Sequence, residues 1–402
     1  MSNSADATAA RVGIPRYKSW NGLGLFGQGF RPFFLASGLS AAILLTVWIT
    51  MLARQIGLPG AVFEPAHWHA HEMIFGTLTA AVAGFLLTAI PNWTGRMPLQ
   101  GWSLIGLFAL WLAGRVAMVT AEMIGPDLAA AIDVSFLFVL LAVVVREIVS
   151  GRNWRNLPVV GAIGFLAAAN AAAHLETLGY IDTYDLGMRA GISVIALLIG
   201  LIGGRIIPSF TSNWLAKRNI AQRPSPFGKF DAAVLVLTAS ALGLWTFIPY
   251  NEWTGLLLLA AGAGNVVRFL CWQGLRTLAE PLVWSLHTAF VWLPIGLILM
   301  GLSNDIPELS ESAGLHALTT GAMGGMILAV MTRATLGHTG QALAADRWTT
   351  IIYVLAIAAA VARVAAALSP TGFDQLLLIA GATWIAAFGL FSVRYGAILL
   401  RR

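Results

Sequence analysis

Twelve runs of roughly twenty apolar residues decide what this chain can become. They fall at about 31–54, 67–90, 99–121, 128–149, 157–179, 187–207, 229–249, 253–273, 282–303, 313–334, 347–369 and 373–398. A run of that length crosses the hydrocarbon layer of a bilayer as a helix. Only helices and closed barrels satisfy every backbone group there. The sequence therefore predicts an all-α polytopic protein of the lipid bilayer, with twelve transmembrane helices. Composition agrees: 58% of the residues are hydrophobic and 10% charged, against about a quarter charged in a soluble domain.

The net charge of +6 points to topology and not to nucleic acid. With the gaps between runs numbered alternately, one side holds Arg11, Arg16, Lys18, Arg96, the basic residues between Arg146 and Arg155, and those between Arg205 and Lys229. The other side holds only Arg54 and Arg189, together with acidic residues such as Glu64, Asp182, Asp185 and Glu308. By the positive-inside rule the basic side is cytoplasmic, which puts both termini inside. Residues 1–30 lack the apolar run and cleavage site of a signal peptide, so they are expected to form a cytoplasmic N-terminal segment ahead of a retained first anchor. The single cysteine, Cys271, excludes intramolecular disulfides and thiolate metal clusters. A metal here must use His, Met, carboxylate or backbone.

The chain also carries an internal period. Val145-Arg146, Val267-Arg268 and Val393-Arg394 recur near the ends of runs 4, 8 and 12, about 122 and 126 residues apart. Ile90-Pro91-Asn92-Trp93-Thr94 is echoed by Ile207-Pro208-Ser209-Phe210-Thr211. His71 aligns with His316, and Gly114-Arg115-Val116-Ala117 with Ala362-Arg363-Val364-Ala365. The expected units are three four-helix repeats, 31–155, 156–280 and 281–402. An even number of spans gives every copy the same orientation, so the repeats would surround a pseudo-threefold axis along the membrane normal. That plan resembles the catalytic subunit of haem–copper oxidases, and a likeness of fold alone does not fix chemistry.

Ionisable residues inside a span are costly and mark candidate functional positions. The second run opens Glu64-Pro65-Ala66-His67-Trp68-His69-Ala70-His71-Glu72. Pro65 suits the first turn of a helix. At ~100° per residue, His67 and His71 then share a face and His69 points nearly opposite. Histidines at i and i+4 can hold one metal or ligate two; the plainer alternative is that they hydrogen-bond interfacial water. The topology places His67, His69, His71, Glu72, Arg115, Asp133, His174 and His316 at one depth, near the outer surface. The competing reading is a polar cluster that joins helices. His71 and His316, at repeat-equivalent positions, suit the two axial ligands of a low-spin haem. His67, His69 and His174 are then left for copper, although zinc would accept the same groups. Glu72, Arg115, Asp133 and His174 are candidates to carry protons, and Arg115 and Asp133, both in the outer half of adjacent runs, are candidates for an ion pair. His287, His338 and Arg333 lie toward the other face. They are either capped or water-bonded side chains or a second site, a proton inlet or a hold on haem propionates.

Three segments carry a family resemblance: His67-Trp68-His69-Ala70-His71-Glu72-Met73, Pro91-Asn92-Trp93-Thr94-Gly95-Arg96, and Met331-Thr332-Arg333-Ala334-Thr335-Leu336-Gly337-His338-Thr339-Gly340. They are similar to the signatures of the NnrS family, and the similarity extends over all twelve runs. The resemblance implies a haem b- and copper-containing protein of the bacterial inner membrane, tied to nitric oxide and denitrification. It leaves open whether nitric oxide is turned over, with quinol as the expected electron donor, or bound in a sensing or protective role. The haem–copper oxidase pattern departs at the second metal. Run 6 reads Gly203-Gly204-Arg205-Ile206-Ile207-Pro208, and run 7 has no histidine, which argues against oxygen reduction at an oxidase-like centre. A transporter of copper, haem or nitrite is the reading from a different class.

Overall fold

The computed structural model describes residues 20–401. The basic residues Arg11, Arg16, Lys18 and Arg402, and most of the N-terminal segment, lie outside the described residues. Twelve helices are long and apolar enough to cross a membrane, and no strand occurs among the described residues. They are α1 (Phe30–Arg54), α2 (Pro65–Thr94), α3 (Trp102–Ile124), α4 (Pro126–Ser150), α5 (Trp154–Thr177), α6 (Leu186–Lys217), α7 (Lys229–Phe247), α8 (Glu252–Leu270), α9 (Pro281–Ser303), α10 (Glu311–His338), α11 (Arg347–Leu368) and α12 (Phe373–Leu400). The chain is a multi-pass helical membrane protein.

Local chemistry sets the helix ends. Pro65, Pro126 and Pro281 open α2, α4 and α9, where a missing N–H costs nothing. Asn251 accepts from the Trp253 N–H at 2.9 Å to start α8, and Asp346 from the Thr349 N–H at 2.8 Å to start α11. Gly95, at φ +70°, closes α2 in the left-handed region. The largest departure from the expected bounds is α6. Its apolar run ends near Ile207, yet the helix continues through Pro208 to Lys217. A proline in a membrane helix is tolerated when the freed backbone groups find other partners. The continuation is polar, so hydropathy alone does not reveal it.

Three helices form the centre. α2, α6 and α10 touch one another, and the other nine surround them. The apolar window of α2 is 78% buried, against 28% for α1. Gly191 of α6 permits the close approach to α2, since a Cβ there would lie 2.8 Å from Phe75 and 2.9 Å from Ile74. The ring closes where α12 packs on α1, with the Trp384 indole N–H donating to the Ala41 carbonyl at 3.0 Å. Each central helix carries a π-helical stretch: Glu72–Leu78, Ile199–Gly203 and Ala317–Gly324. Such stretches are rare and concentrate at functional sites, because the wider turn re-aims side chains and frees carbonyls. Carbonyls in these stretches take side-chain donors from other helices, among them Gly76 O from Trp111 Nε1 at 3.0 Å, Thr77 O from Ser37 Oγ at 3.0 Å and Gly200 O from Arg268 Nη2 at 3.2 Å.

Candidate histidine sites on two sides of one helix

The first π-helical stretch begins at Glu72, directly after the three histidines. His71 and Glu72 point toward α3, α4 and α5 and meet a closed cluster. His71 Nδ1 lies 3.2 Å from Glu72 Oε1, and its Nε2 lies 2.9 Å from Asn170 Oδ1 and 3.3 Å from Asp133 Oδ2. His174 Nε2 is 3.0 Å from the same Asp133 oxygen, and Asn170 Nδ2 donates to it at 2.9 Å. Arg115 forms the expected ion pair with Asp133 and a second with Glu72. Exposure is 0% at His71, 1% at Glu72, Asp133 and Asn170, and 4% at His174. Phe63 covers both imidazoles, with ring centroids 5.0 and 5.3 Å away. One donor atom from each of His71, Asp133 and His174 falls within 4.8 Å of the others. Two imidazoles and a carboxylate are a donor set for a divalent transition metal.

Glycine makes room for this cluster. A Cβ on Gly76 would lie 2.6 Å from Arg115 Nη1, and one on Gly114 would lie 2.8 Å from Asp133 Oδ1. Two carboxylates share one guanidinium, and His71 bridges them, Nδ1 facing Glu72 and Nε2 facing Asp133. Glu72 Oε2 is buried with no hydrogen-bond partner.

His69 points the other way, as its spacing from His67 and His71 requires. It lines a cavity of about 410 Å³ enclosed by α1, α2, α10, α11 and α12, with Ile192 of α6 at its floor. The walls are chiefly apolar, including Leu45, Met73, Leu315 and Trp384. His316 and Arg363 are the other ionisable groups on the wall. The His69 ring stacks on Trp48, at 4.8 Å between centroids and 9° between planes. Its Nδ1 is buried and unpartnered. His316 Nδ1 donates to the Ser312 carbonyl at 2.8 Å, which commits that nitrogen and leaves Nε2 as the free lone pair. Arg363 donates from Nη2 to Ser312 Oγ at 3.1 Å, while its Nη1 is buried without a partner.

The other sequence candidates are elsewhere. His67 is exposed and pairs with Asp185 at 2.9 Å. The pair sharing a cavity is His69 and His316; the expected partner of His316, His71, sits in the ionic cluster on the far side of α2. Likewise the expected trio of His67, His69 and His174 is divided among the surface, the cavity and the cluster. A helix places neighbouring residues on different faces, and a common depth does not bring them together. Toward the basic face, His287 Nε2 bonds Thr211 Oγ1 at 2.8 Å, and His338 packs on Phe30 with 5.6 Å between centroids. Arg333 lies 4.0 Å over the Phe210 ring, in a separate pocket with Lys217, Arg218 and Glu280. These three residues do not share a site. Arg363 was the missed residue. Its alignment with Arg115 was a readable signal, because the sequence already placed Arg115 among the ionisable groups.

The molecule is thus a polytopic helical membrane protein with two histidine-bearing sites back to back across α2. Residues 24–402 match the family described as NnrS protein, and the chain belongs to that family. No curated protein matches the sequence significantly.

Proposed function

We propose that this chain is a haem- and copper-binding protein of the bacterial inner membrane that handles nitric oxide, and that the cavity holds haem b while the cluster holds the second metal. The observation that carries the reading is the cavity. Its volume lies within the ~300–1,000 Å³ typical of pockets that bury a cofactor-sized ligand. It presents two imidazoles with uncommitted nitrogens in an apolar wall, and His69 and His316 would hold the haem iron. Arg363 Nη1, buried and unpartnered, suits a propionate carboxylate. When bound, haem would supply a redox-active iron to this cavity.

His71, Asp133 and His174 fit copper by donor type, and zinc or iron by the same criterion. Arg115 then acts as an orienting residue that holds both carboxylates, and Phe63 excludes water. Glu72 Oε2 is the group best placed to hold a proton beside His71. Nitric oxide is small, apolar and enriched in lipid, so an intramembrane site is well placed to meet it. Reduction or other consumption would draw electrons from quinol.

The four-helix repeat and the likeness to a haem–copper oxidase subunit belong to the same proposal. Three observations support them: α2, α6 and α10 recur every four helices, each carries a π-helical stretch, and they touch at the centre. The boundary at 280 falls between α8 and α9, and that at 155 falls in the first turn of α5. The charge split supports cytoplasmic termini, so that both histidine sites lie toward the periplasm.

The test is the visible spectrum and the metal content of the purified protein. The reading expects a Soret band that shifts with nitric oxide, and copper in addition to haem iron. A colourless, metal-free protein refutes it and leaves a transporter. Nitric oxide loss at an electrode with reduced quinol separates turnover from a sensing role.

A further inference from the structure

A second cavity lies deeper along the central helices. It measures about 90 Å³, against the roughly 10–15 Å³ needed to admit one water-sized molecule. Every side chain lining it is apolar, among them Ala81, Ile195, Ile199, Met323 and Met326, with Gly203 completing the wall. An apolar space of this kind offers water no hydrogen bonds, so it favours apolar guests such as xenon.

Its position relative to the histidine cavity is regular. The upper cavity ends at Leu78, Ile192 and Thr320. The lower one begins at Ala81, Ile195 and Met323. On each of α2, α6 and α10 the step is about one helical turn, so the two cavities stack along the line the three helices share. The π-helical stretches account for the gap. Ile199, Ile202 and Gly203 belong to that of α6 and Met323 to that of α10. A π turn breaks the 3.6-residue register with which neighbouring helices interlock. Two such breaks, on α6 and α10, coincide with space where close packing is the rule.

We propose that this lower cavity is a binding site for an apolar diatomic gas, and that it feeds the histidine cavity along the α2–α6–α10 axis. That the gas is nitric oxide rests on the function proposed above; the gas site itself does not. Gly203 is the position to fill. A Cβ there would meet nothing nearer than 3.5 Å, whereas one on neighbouring Gly204 would lie 2.2 Å from Arg268 Nη2. Leucine at position 203 therefore has room for its first carbon, beside Met326 of the cavity wall, and is expected to extend into the cavity.

The experiment is xenon pressurisation of the full-length protein in nanodiscs, read by ¹²⁹Xe NMR and by anomalous scattering from crystals. Saturable xenon beside Gly203 in the wild type, reduced at least tenfold in Gly203→Leu with thermal stability retained, is the expected result. Absence of xenon from that place in the wild type overturns the proposal, and so does equal occupancy in both proteins. Gly203→Ala, a smaller filler, is the control for folding and should lower occupancy partially. Where haem is present, Gly203→Leu should slow nitric oxide rebinding after flash photolysis without moving the Soret maximum. Xenon binding in a protein without pigment would uphold the gas site and refute only the haem reading.

Discussion

His69 and His71 are two residues apart on α2, and their surroundings are opposites. Around His71 the polar groups bond chiefly to one another: Asn170, Glu72, Asp133, Arg115 and His174 form one bonded group in which Glu72 Oε2 and Arg115 Nε alone are buried without partners, with exposures of a few per cent or less at the histidines, carboxylates and Asn170. Around His69 the wall is apolar, and Nδ1 of His69 and Nη1 of Arg363 are buried without partners. A satisfied cluster rigidifies a fold and fixes geometry. Unsatisfied buried groups cost stability and persist where something else uses them. The first side thus joins four helices around a compact set of metal donors, and the second offers an apolar cavity to a larger ligand.

Variants should divide along that line. Asp133→Leu carries the largest expected effect on folding. It leaves Arg115 and Glu72 to readjust and removes the acceptor for Asn170 and His174, and breaking a buried ion pair from one side costs about 3–5 kcal/mol. Thermal unfolding of the solubilised protein measures it. A variant as stable as the wild type would break the comparison.

A pair of glycine substitutions sharpens it. Gly76→Val pushes on the pinned Arg115, and overpacking of this kind costs about 1–3 kcal/mol. At Gly381 a Cβ would meet only the flexible end of Ile49, Cδ1 at 2.0 Å, so Gly381→Ala should be close to neutral for stability while narrowing the cavity. Equal melting shifts in the two would contradict the account. Smallest of all should be His67→Ala. An exposed pair such as His67 with Asp185 is worth about 0–1 kcal/mol, and the metal and pigment content of this variant should match the wild type.

Much of this was legible in the residues. Hydropathy located all twelve helices, because the bilayer leaves the backbone no other option. The positions of Arg115 and Asp133, at one depth on adjacent helices, correctly pointed to an ion pair. Helical spacing separated His69 from His67 and His71. What spacing could not give was the identity of the helix each face meets. His71 meets α4 and α5 and His69 meets α1 and α10, and that depends on how twelve cylinders pack. The Glu72–Leu78 stretch adds a second reason, since a π turn changes side-chain directions in a way that no 100° wheel reproduces. The helical continuation from Pro208 to Lys217 was hidden because its polar residues and proline read as a loop.

The central claim is that the helix face carrying His69, not the one carrying His71, binds the pigment. It is tested most directly by the haem-to-protein ratio of purified His69→Ala and His71→Ala, with His316→Ala beside them. The account predicts that His69→Ala and His316→Ala lose the Soret band, while His71→Ala keeps it and loses the second metal. A colourless His71→Ala beside a fully pigmented His69→Ala would contradict it.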